Sequence, residues 1–329
     1  MIALLKLLTI QLASFNVGTD LRIDVENKMR ALLVACVLGV TVAGSASAQL
    51  NNDNEAWPIP LMVTPGSMAQ VSYTQEKNKN GEIAIANATA ELSVQNELDT
   101  GFVATWKMKS LAVGDLLIDE STPQAASFYI GIPFQFEAAI DGEPVRIYDK
   151  EQLLNGLTES PIFEDYDDAT LKNAVELFNS MTDEALAATF VKVPYYLSIC
   201  QATSLPIAQE VETQGEVASP FGNGSLLGFT SYELTSVDDR QGIAQIEYHS
   251  GFDPESMKAM VVEMFQNLAP DKTPTEEEIT QTSIIQSTSA ECVVDLKAGW
   301  VTEMLLENVV EAGGEFQSEK YSISVSWVE

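Results

Sequence analysis

Apolar residues recur at every second position along much of the chain between residues 68 and 141. They are Val71 and Tyr73, then Ile83 and Ile85, then Ala104, Trp106 and Met108, and finally Phe128, Ile130, Phe134 and Phe136. A period of two places side chains on one face of a β-strand, so each group marks a half-buried strand. Gly101 supplies a turn signal between two of the strands. The pattern predicts an antiparallel meander with one apolar face.

The pattern becomes helical between about residues 149 and 190. Asp149 and Gln152 fit a capping box, and Thr182, followed by two acidic residues, fits the N-cap of a further helix. Between them, behind a candidate N-cap at Asp168, apolar residues recur with helical spacing at Leu171, Ala174, Val175 and Phe178. The acidic run at residues 164–168 lacks the glycine and the distal glutamate of a calcium loop, so it is interpreted as a solvated loop. We expect a helical insertion here.

Strand patterns return after Cys200. They cover residues 207–213, 226–235, 242–250, 280–289, 291–296, 300–309 and 321–327. The last one alternates strictly, with Tyr321, Ile323, Val325 and Trp327 on one face and three serines on the other. One helix interrupts these strands: Asp253 and Pro254 open it as N-cap and first helical residue, and Pro270 limits its end. Residues 271–278 read as an acidic linker.

These patterns together predict an α+β, β-rich fold. Its centre is a curved antiparallel sheet, half-barrel or sandwich-like, with inserted helices. We expect residues 49–329 to form a single mature domain, with the helical insertion at about 149–190.

A secretory signal peptide is predicted at residues 29–48. Met29 and Arg30 form a short basic start, residues 31–43 are apolar, and residues 45–48 are the small residues that signal peptidase accepts. Cleavage after Ala48 would leave Gln49 as the mature N-terminus. The apolar run is shorter than the roughly 20 residues needed to span a bilayer. Residues 1–28 carry acidic charge where a basic start is expected, and we interpret them as an over-long gene start.

A second processing site lies inside the same segment. Residues 33–36 match the lipobox of bacterial lipoproteins, with Cys36 as the residue to be lipidated. Cleavage there would leave only a few apolar residues before the cysteine, so the sequence favours Ala48. We expect a periplasmic or secreted protein after Sec-type export, with no integral membrane segment in the mature chain.

Acidic residues outnumber basic ones by 48 to 17, which gives a formal net charge of −31. Residues 1–48 hold four of the basic and three of the acidic residues, so the mature chain has a net charge of −32. Such a surface repels phosphate backbones and anionic lipid headgroups, which argues against nucleic acid as a partner. The apolar fraction, 46%, is that of an ordinary globular protein, so the charge decorates a core.

Two cysteines, Cys200 and Cys292, remain after removal of the signal peptide. An oxidising compartment favours a disulfide between them. A redox or nucleophilic thiol is the alternative, but the chain has no Cys-x-x-Cys motif.

Three segments resemble parts of uncharacterised exported proteins from proteobacteria: residues 141–145 (DGEPV), 219–222 (SPFG) and 292–300 (CVVDLKAGW). That resemblance implies no activity. In its order of strands and helices, most of the mature chain is similar to the LolA-like half-barrels of lipoprotein carriers. The resemblance implies a curved sheet with helices toward its concave side, and fold analogy alone does not assign a function.

Catalytic and metal-binding patterns are weak. The single histidine, His249, lies on the polar side of its strand, and no Gly-x-Ser-x-Gly turn is present. With one histidine and two paired cysteines, zinc, copper and haem lack ligands, and the phosphate and dinucleotide fingerprints are missing. The pairs Asp167/Asp168 and Asp238/Asp239 are interpreted as surface charge, since adjacent carboxylates point apart. We expect no cofactor, no metal and no enzymatic activity.

The helix after Asp253 carries the most suggestive apolar stripe, with Met257, Met260 and Met264 at helical spacing. Methionine adapts its shape to varied apolar partners, so the stripe is a candidate ligand face together with Trp106 and Trp327. The alternative is that the stripe packs on the sheet as core.

Three functions follow from these observations. The leading hypothesis is a non-enzymatic exported protein that binds an apolar ligand, lipid or polypeptide in the hollow of the curved sheet. The second is a structural or interaction protein with a closed core and no small ligand. The third is a hydrolase that acts through carboxylates.

Overall fold

A computed structural model describes residues 56–59, 61–119, 130–148, 150–151, 179, 182–201, 203–218, 225–268, 284–312 and 314–328. Within these ranges the strands are β1 (Ala56–Ile59), β2 (Met68–Lys79), β3 (Glu82–Leu98), β4 (Gly101–Val113), β5 (Leu116–Asp119), β6 (Pro133–Ala139), β7 (Pro144–Ile147), β8 (Thr203–Pro206), β9 (Glu210–Ala218), β10 (Ser225–Asp238), β11 (Ile243–Phe252), β12 (Ile284–Asp295), β13 (Trp300–Ala312) and β14 (Glu315–Val328). The helices are α1 (Asp183–Phe190), α2 (Lys192–Ser198) and α3 (Pro254–Leu268).

One large antiparallel sheet dominates the fold. Its strand order is β7-β6-β4-β3-β2-β14-β13-β12-β11-β10-β9, with β5 beside β4, and the first and last long strands, β2 and β14, join the N-terminal and C-terminal meanders. The sheet stays open, with β7 and β9 at its edges. A separate pair is formed by β1 and β8. The predicted fold class, a β-rich α+β protein with a large curved antiparallel sheet and helices, is confirmed.

One contact between two aromatic rings shows that the sheet is curved. Phe102 on β4 and Trp300 on β13 are both buried, and their ring centroids lie 6.1 Å apart. Four strand spacings separate β4 from β13, which on a flat sheet would be about 19 Å. The sheet therefore curls, and we call the face on which these rings meet the inner face.

Strand alternation places the core on this inner face. On β14, Tyr321, Ile323 and Val325 are buried, whereas Ser322, Ser324 and Ser326 are exposed, as the sequence predicts. The turn predicted near Gly101 joins β3 to β4, and a Cβ at this position would overlap the carbonyl oxygen of Ala138. Glycine is therefore required here by close backbone approach.

Two helical units cover the inner face. Helices α1 and α2 contact β7 and β13, respectively, and α2 buries Val193, Tyr195, Tyr196 and Leu197. Helix α3 contacts β10 and β12, where inward Leu226 and Ile284 are buried while their outward neighbours Leu227 and Ile285 are exposed. All three helices thus lie on one side of the sheet.

The start of α3 agrees with the sequence. The backbone N–H of Ser256 donates to Oδ1 of Asp253 at 2.9 Å, which is the N-cap bond predicted there. The helix ends at Leu268, before Pro270. Thr182 precedes α1 as predicted, and its carbonyl accepts from the N–H of Leu186. Helix α2 was not predicted; Pro194 falls in its first turn, where a proline is tolerated.

Several details of the predicted strands are wrong, and the first concerns a face of the sheet. Ile83 and Ile85 lie on a strand but face outward, 60% and 49% exposed, because Ala86, Ala88 and Ala90 fill the inner side of β3.

The strand predicted at residues 207–213 begins only at Glu210, as the start of β9, and residues 207–209 connect it to β8, with Ala208 at φ 54° in the left-handed region. The two strands predicted between 280 and 296 are one, β12.

Some predictions fall outside the described residues. They are the gene start at 1–28, the signal peptide with its Ala48–Gln49 cleavage site, most of the insertion at 149–190 and the acidic linker at 271–278. The single-domain boundary at 49–329 remains a prediction as well.

Candidate functional site

A row of polar side chains crosses the inner face of the sheet. Its members stand directly opposite one another on six neighbouring strands: Lys77, Glu319, Asn308, Thr288, Ser250 and Thr230. Each is at most 9% exposed. We call these six residues the polar row. It is unusual because the inward positions of a sheet that packs on a core are ordinarily apolar.

The two rows beside the polar row differ in character. One flanking row, which is apolar and aromatic, consists of Tyr321, Leu306, Ala290, Tyr248 and Tyr232. The other is mixed and includes Val310 between Gln317 and Gln286. A ligand on this face would therefore meet a polar strip with an apolar and aromatic surface along one side.

A buried ion cluster occupies the end of the polar row at β2. The carboxylate of Glu319 lies 3.4 Å from Nζ of Lys77 and 2.7 Å from Nζ of Lys192, the first residue of α2. The Glu319 side chain is 1% exposed, whereas that of Lys192 is 32% exposed. The side chain of Lys192 is therefore the most exposed part of the cluster, whereas the carboxylate is shielded from solvent.

Interactions among the three charged groups of this cluster determine which of them are ionised. Burial acts to raise the pKa of Glu319, but the ammonium groups of Lys192 and Lys77 outweigh it and lower that pKa to about 2. Burial likewise acts against the charge of Lys192, and the Glu319 carboxylate reverses this and raises the Lys192 pKa above its ordinary value. For Lys77 burial prevails, and its pKa is lowered. Glu319 is ionised and Lys192 protonated at neutral pH.

Hydrogen bonds extend the cluster along the polar row. Nδ2 of Asn308 donates to the hydroxyl of Tyr196 on α2 at 2.7 Å, and the hydroxyl of Thr288 donates to Oδ1 of Asn308 at 2.7 Å. The hydroxyl of Tyr321 donates to Oε2 of Glu319 at 3.2 Å. Each of these groups is buried, and these bonds offset the cost of removing it from water.

Two tyrosine rings frame the Lys192 ammonium. Its Nζ lies 5.6 Å from the ring centroid of Tyr196 and 5.5 Å from that of Tyr321, which are cation–π distances. Burial raises the pKa of Tyr196 to about 12 and that of Tyr321 well above its ordinary value. Both hydroxyls are therefore neutral hydrogen-bond donors at physiological pH.

A disulfide holds α2 on the sheet. Cys200, two residues beyond α2, is bonded to Cys292 on β12, with an S–S distance of 2.04 Å and Cα atoms 6.5 Å apart. The disulfide predicted from the sequence is confirmed. Cys292 faces inward on the same strand as Thr288, so the bond fixes α2 close to the polar row.

The predicted ligand face is divided between two regions. Met257 and Met260 are buried on α3, which begins where β11 ends, while the side chain of Met264 lies outside the described residues. Gly251 near that end stands in the row of Ser287, Val309 and Ser318.

The two tryptophans lie toward the other end of the strands. Trp327 is nine residues beyond Ser318 along β14, about 30 Å, and Trp106 shares the row of Trp327 through Leu92 and Ala69. Trp106 is buried in the main core, and the ring of Trp327 packs on Trp300 at 4.4 Å between centroids. Met257 and Met260 are therefore not beside either tryptophan.

The opposite, outer face carries an open groove of about 470 Å³. Four glutamates line it, Glu76, Glu247, Glu291 and Glu307, together with His249, Lys320 and Leu305. His249 is exposed, as the sequence predicts. Lys320 pairs with Glu307 at 3.4 Å, so the groove is acidic but partly neutralised.

The described residues offer little support for a metal site or for catalysis by carboxylates. In those ranges no group of three or more His, Cys, Asp or Glu side chains is arranged to hold a metal ion. Asp238 accepts from the backbone N–H groups of Arg240 and Gln241, a turn-forming role between β10 and β11. Asp167 and Asp168 lie outside the described residues.

The polar row was missed from the sequence. Its members lie one to a strand on six different strands, and only the strand register brings them together. The one signal in the sequence was the position of Glu319. It lies two residues before Tyr321, so the alternation of β14 places both side chains on the same face.

Comparisons with known proteins give little further information. No protein-family model matches the chain, and no curated protein matches it. Among solved structures, the chain is similar to "Lipid-protein interactions in lipovitellin", with a TM-score of 0.41 and 11% sequence identity. The alignment covers 80% of this chain and 25% of that chain, so this chain spans only a fraction of its length. None of the described helices is long and apolar enough to cross a membrane.

Proposed function

We propose that the protein is a non-enzymatic, exported binding protein that holds an apolar or amphipathic ligand, such as a lipid, against the inner face of its curved sheet. The observation that carries this proposal is the polar row beside the apolar and aromatic row of Tyr321, Leu306 and Ala290 on that face. Six buried polar residues in one line cost stability relative to an apolar core, and such costs are commonly retained at functional sites. An amphipathic ligand would place its polar group on the polar row and its apolar part on this apolar row.

Two further observations support the proposal. The Lys192 side chain is one-third exposed although its partner Glu319 is buried, so this end of the row is accessible from solvent. The Cys200–Cys292 disulfide supports export, because disulfides persist in oxidising compartments. The periplasm or the exterior remains the proposed location, after cleavage between Ala48 and Gln49.

A closed-core structural protein is the second candidate. The bonds that tie α2 to the polar row, from Asn308 to Tyr196 and from Lys192 to Glu319, favour it, since a permanently closed core needs such partners for its polar groups. Burial of Met257 and Met260 is required by both candidates and does not separate them.

Titration with N-phenyl-1-naphthylamine, a neutral fluorescent probe of apolar sites, tests the proposal. We expect saturable binding by the mature protein after extraction with organic solvent. Ala290→Phe fills the inner face beside the polar row, and Ser289→Phe places the same ring on the outer face one residue away.

The expected result is a loss of affinity of about tenfold or more for Ala290→Phe and no change for Ser289→Phe, with thermal melts as the check on folding. If Ala290→Phe unfolds, Ala290→Val gives a smaller version of the same test. A wild-type protein that binds no probe, or equal effects of the two phenylalanines, would leave the closed-core protein as the better account.

A further inference from the structure

We infer that Lys192 is the contact for an anionic group, so that the ligand class is an amphipathic anion with a carboxylate or phosphate head. This inference rests on the proposed function and names the ligand of the same site. It starts from the position of Lys192, whose side chain is the most exposed of the three in the cluster on the inner face. An anion that arrives at this end of the polar row meets Lys192 before it meets Glu319.

The positive charge of Lys192 is only partly compensated inside the protein. Its carboxylate partner, Glu319, also lies 3.4 Å from Nζ of Lys77, so Lys192 shares that partner with a second lysine. An ammonium group has three donors; one faces Glu319 and one the hydroxyl of Tyr196, and a second anion can bind to the third. The neutral hydroxyls of Tyr196 and Tyr321 lie nearby without adding negative charge.

The surroundings favour an anion on an apolar tail over a free ion. The two tyrosine rings at 5.5 and 5.6 Å from Nζ form apolar walls, and the flanking row continues from Tyr321 into Leu306 and Ala290. The protein as a whole is strongly anionic, so an anion gains little from long-range attraction and needs burial of apolar surface to bind. Tyr321, Leu306 and Ala290 are themselves buried, so the burial that favours binding is that of the tail as it packs against them.

The test compares cis-parinaric acid with its methyl ester, which has the same fluorescent chain but no charge. We expect the mature protein to bind the acid about tenfold or more tightly than the ester, the effect of one charge-assisted hydrogen bond. Lys192→Met should lower the affinity for the acid to that for the ester and leave the ester unchanged. Lys192→Arg should restore most of the preference, and Lys320→Met, which removes a lysine of the outer groove, should have no effect.

A second variant should change the affinity for the acid in the opposite direction. Glu319→Gln removes the carboxylate that competes for Lys192, so the acid should bind more tightly than it binds to the wild type while the ester does not change. Glu319→Gln is expected to be less stable than the wild type, so thermal melts must show that it is folded at the assay temperature. A gain of affinity in the folded variant then tests the inference even if Lys192→Met is unstable.

The outcomes separate the inference from the proposed function. Equal binding of acid and ester, unchanged in Lys192→Met, would overturn the anion contact and leave the carrier function standing. Binding of neither would overturn both. Stabilisation by inorganic phosphate alone, lost in Lys192→Met, with no binding of parinaric acid, would retain the anion contact but reject the amphipathic ligand.

Discussion

Nζ of Lys192 on α2 lies 2.7 Å from Oε2 of Glu319 on β14, and this ion pair joins a helix to the middle of the sheet across 127 residues of sequence. Removing a carboxylate from water is costly, and the cost is offset here by two ammonium groups and by the hydroxyl of Tyr321. The stability of the helix on the sheet is therefore tied to the ionisation of Glu319.

The first prediction concerns acid denaturation. The pKa of Glu319 falls from its ordinary value of 4.5 to about 2 on folding, so its contribution is fully present above pH 4.5 and is lost as the pH falls toward 2. The shift corresponds to roughly 3 kcal/mol of unfolding free energy.

Urea unfolding of the wild type and of Glu319→Gln at pH 7, 4 and 2.5 measures the contribution of Glu319 to the unfolding free energy. The wild type should be the more stable at pH 7, and the difference should shrink at each step. Glu307→Gln, in the outer groove, is the control and should show no such trend. A difference between wild type and Glu319→Gln that does not change with pH would contradict the account.

The second prediction concerns the middle of the polar row. Asn308→Ala removes the partner of both the Tyr196 and the Thr288 hydroxyls, which are buried. We expect a loss of about 2–3 kcal/mol of unfolding free energy, because unmet buried polar groups carry a desolvation cost. Ser324→Ala, on the outer face of β14, should change it by less than about 0.5 kcal/mol. Chemical denaturation at pH 7 compares the two, and equal small effects would mean that the row does not hold α2.

The third prediction concerns the disulfide. Replacement of both Cys200 and Cys292 by alanine should cost about 2–5 kcal/mol, the usual range for a native disulfide in an exported domain. The measurement is urea unfolding with and without reductant. Reductant should weaken the wild type and leave the double variant unchanged. A free thiol titre of two in the folded, unreduced mature protein would contradict the pairing.

Sequence alternation predicted the sheet well where the inward side chains are large. Tyr321, Ile323 and Val325 were assigned to the correct face, and the Asp253 cap and the disulfide were correct as well. On β3 the same reasoning chose the wrong face, because the large Ile83 and Ile85 lie outside and alanines lie inside. Size and hydrophobicity do not specify a face when small residues fill the interior.

The candidate site could not be predicted because it depends on register. The last strand was predicted to begin at Tyr321, since Glu319 and Gln317 interrupt the apolar alternation, but β14 begins at Glu315 with both residues inward. A polar residue at an inward position appears in the sequence as the end of a strand. Only pairing with Lys77 and Asn308 makes Glu319 part of a site.

The fourth prediction concerns processing. Residues 45–48 fit signal peptidase, so the exported protein should begin at Gln49. Intact-mass measurement of the exported form decides this directly. A diacylglycerol adduct on Cys36 would instead establish a lipoprotein.

The central claim is that the inner face of the sheet holds a ligand, and native mass spectrometry of the protein purified from its native source tests it most directly. The account predicts a bound species whose mass, after release and fragmentation in negative mode, is that of an amphipathic anion. Lys192→Met purified in the same way should retain much less of it, and Lys320→Met should retain as much as the wild type. A wild-type spectrum with only the mass of the polypeptide, from protein never exposed to detergent or solvent, would contradict the claim and favour a closed core.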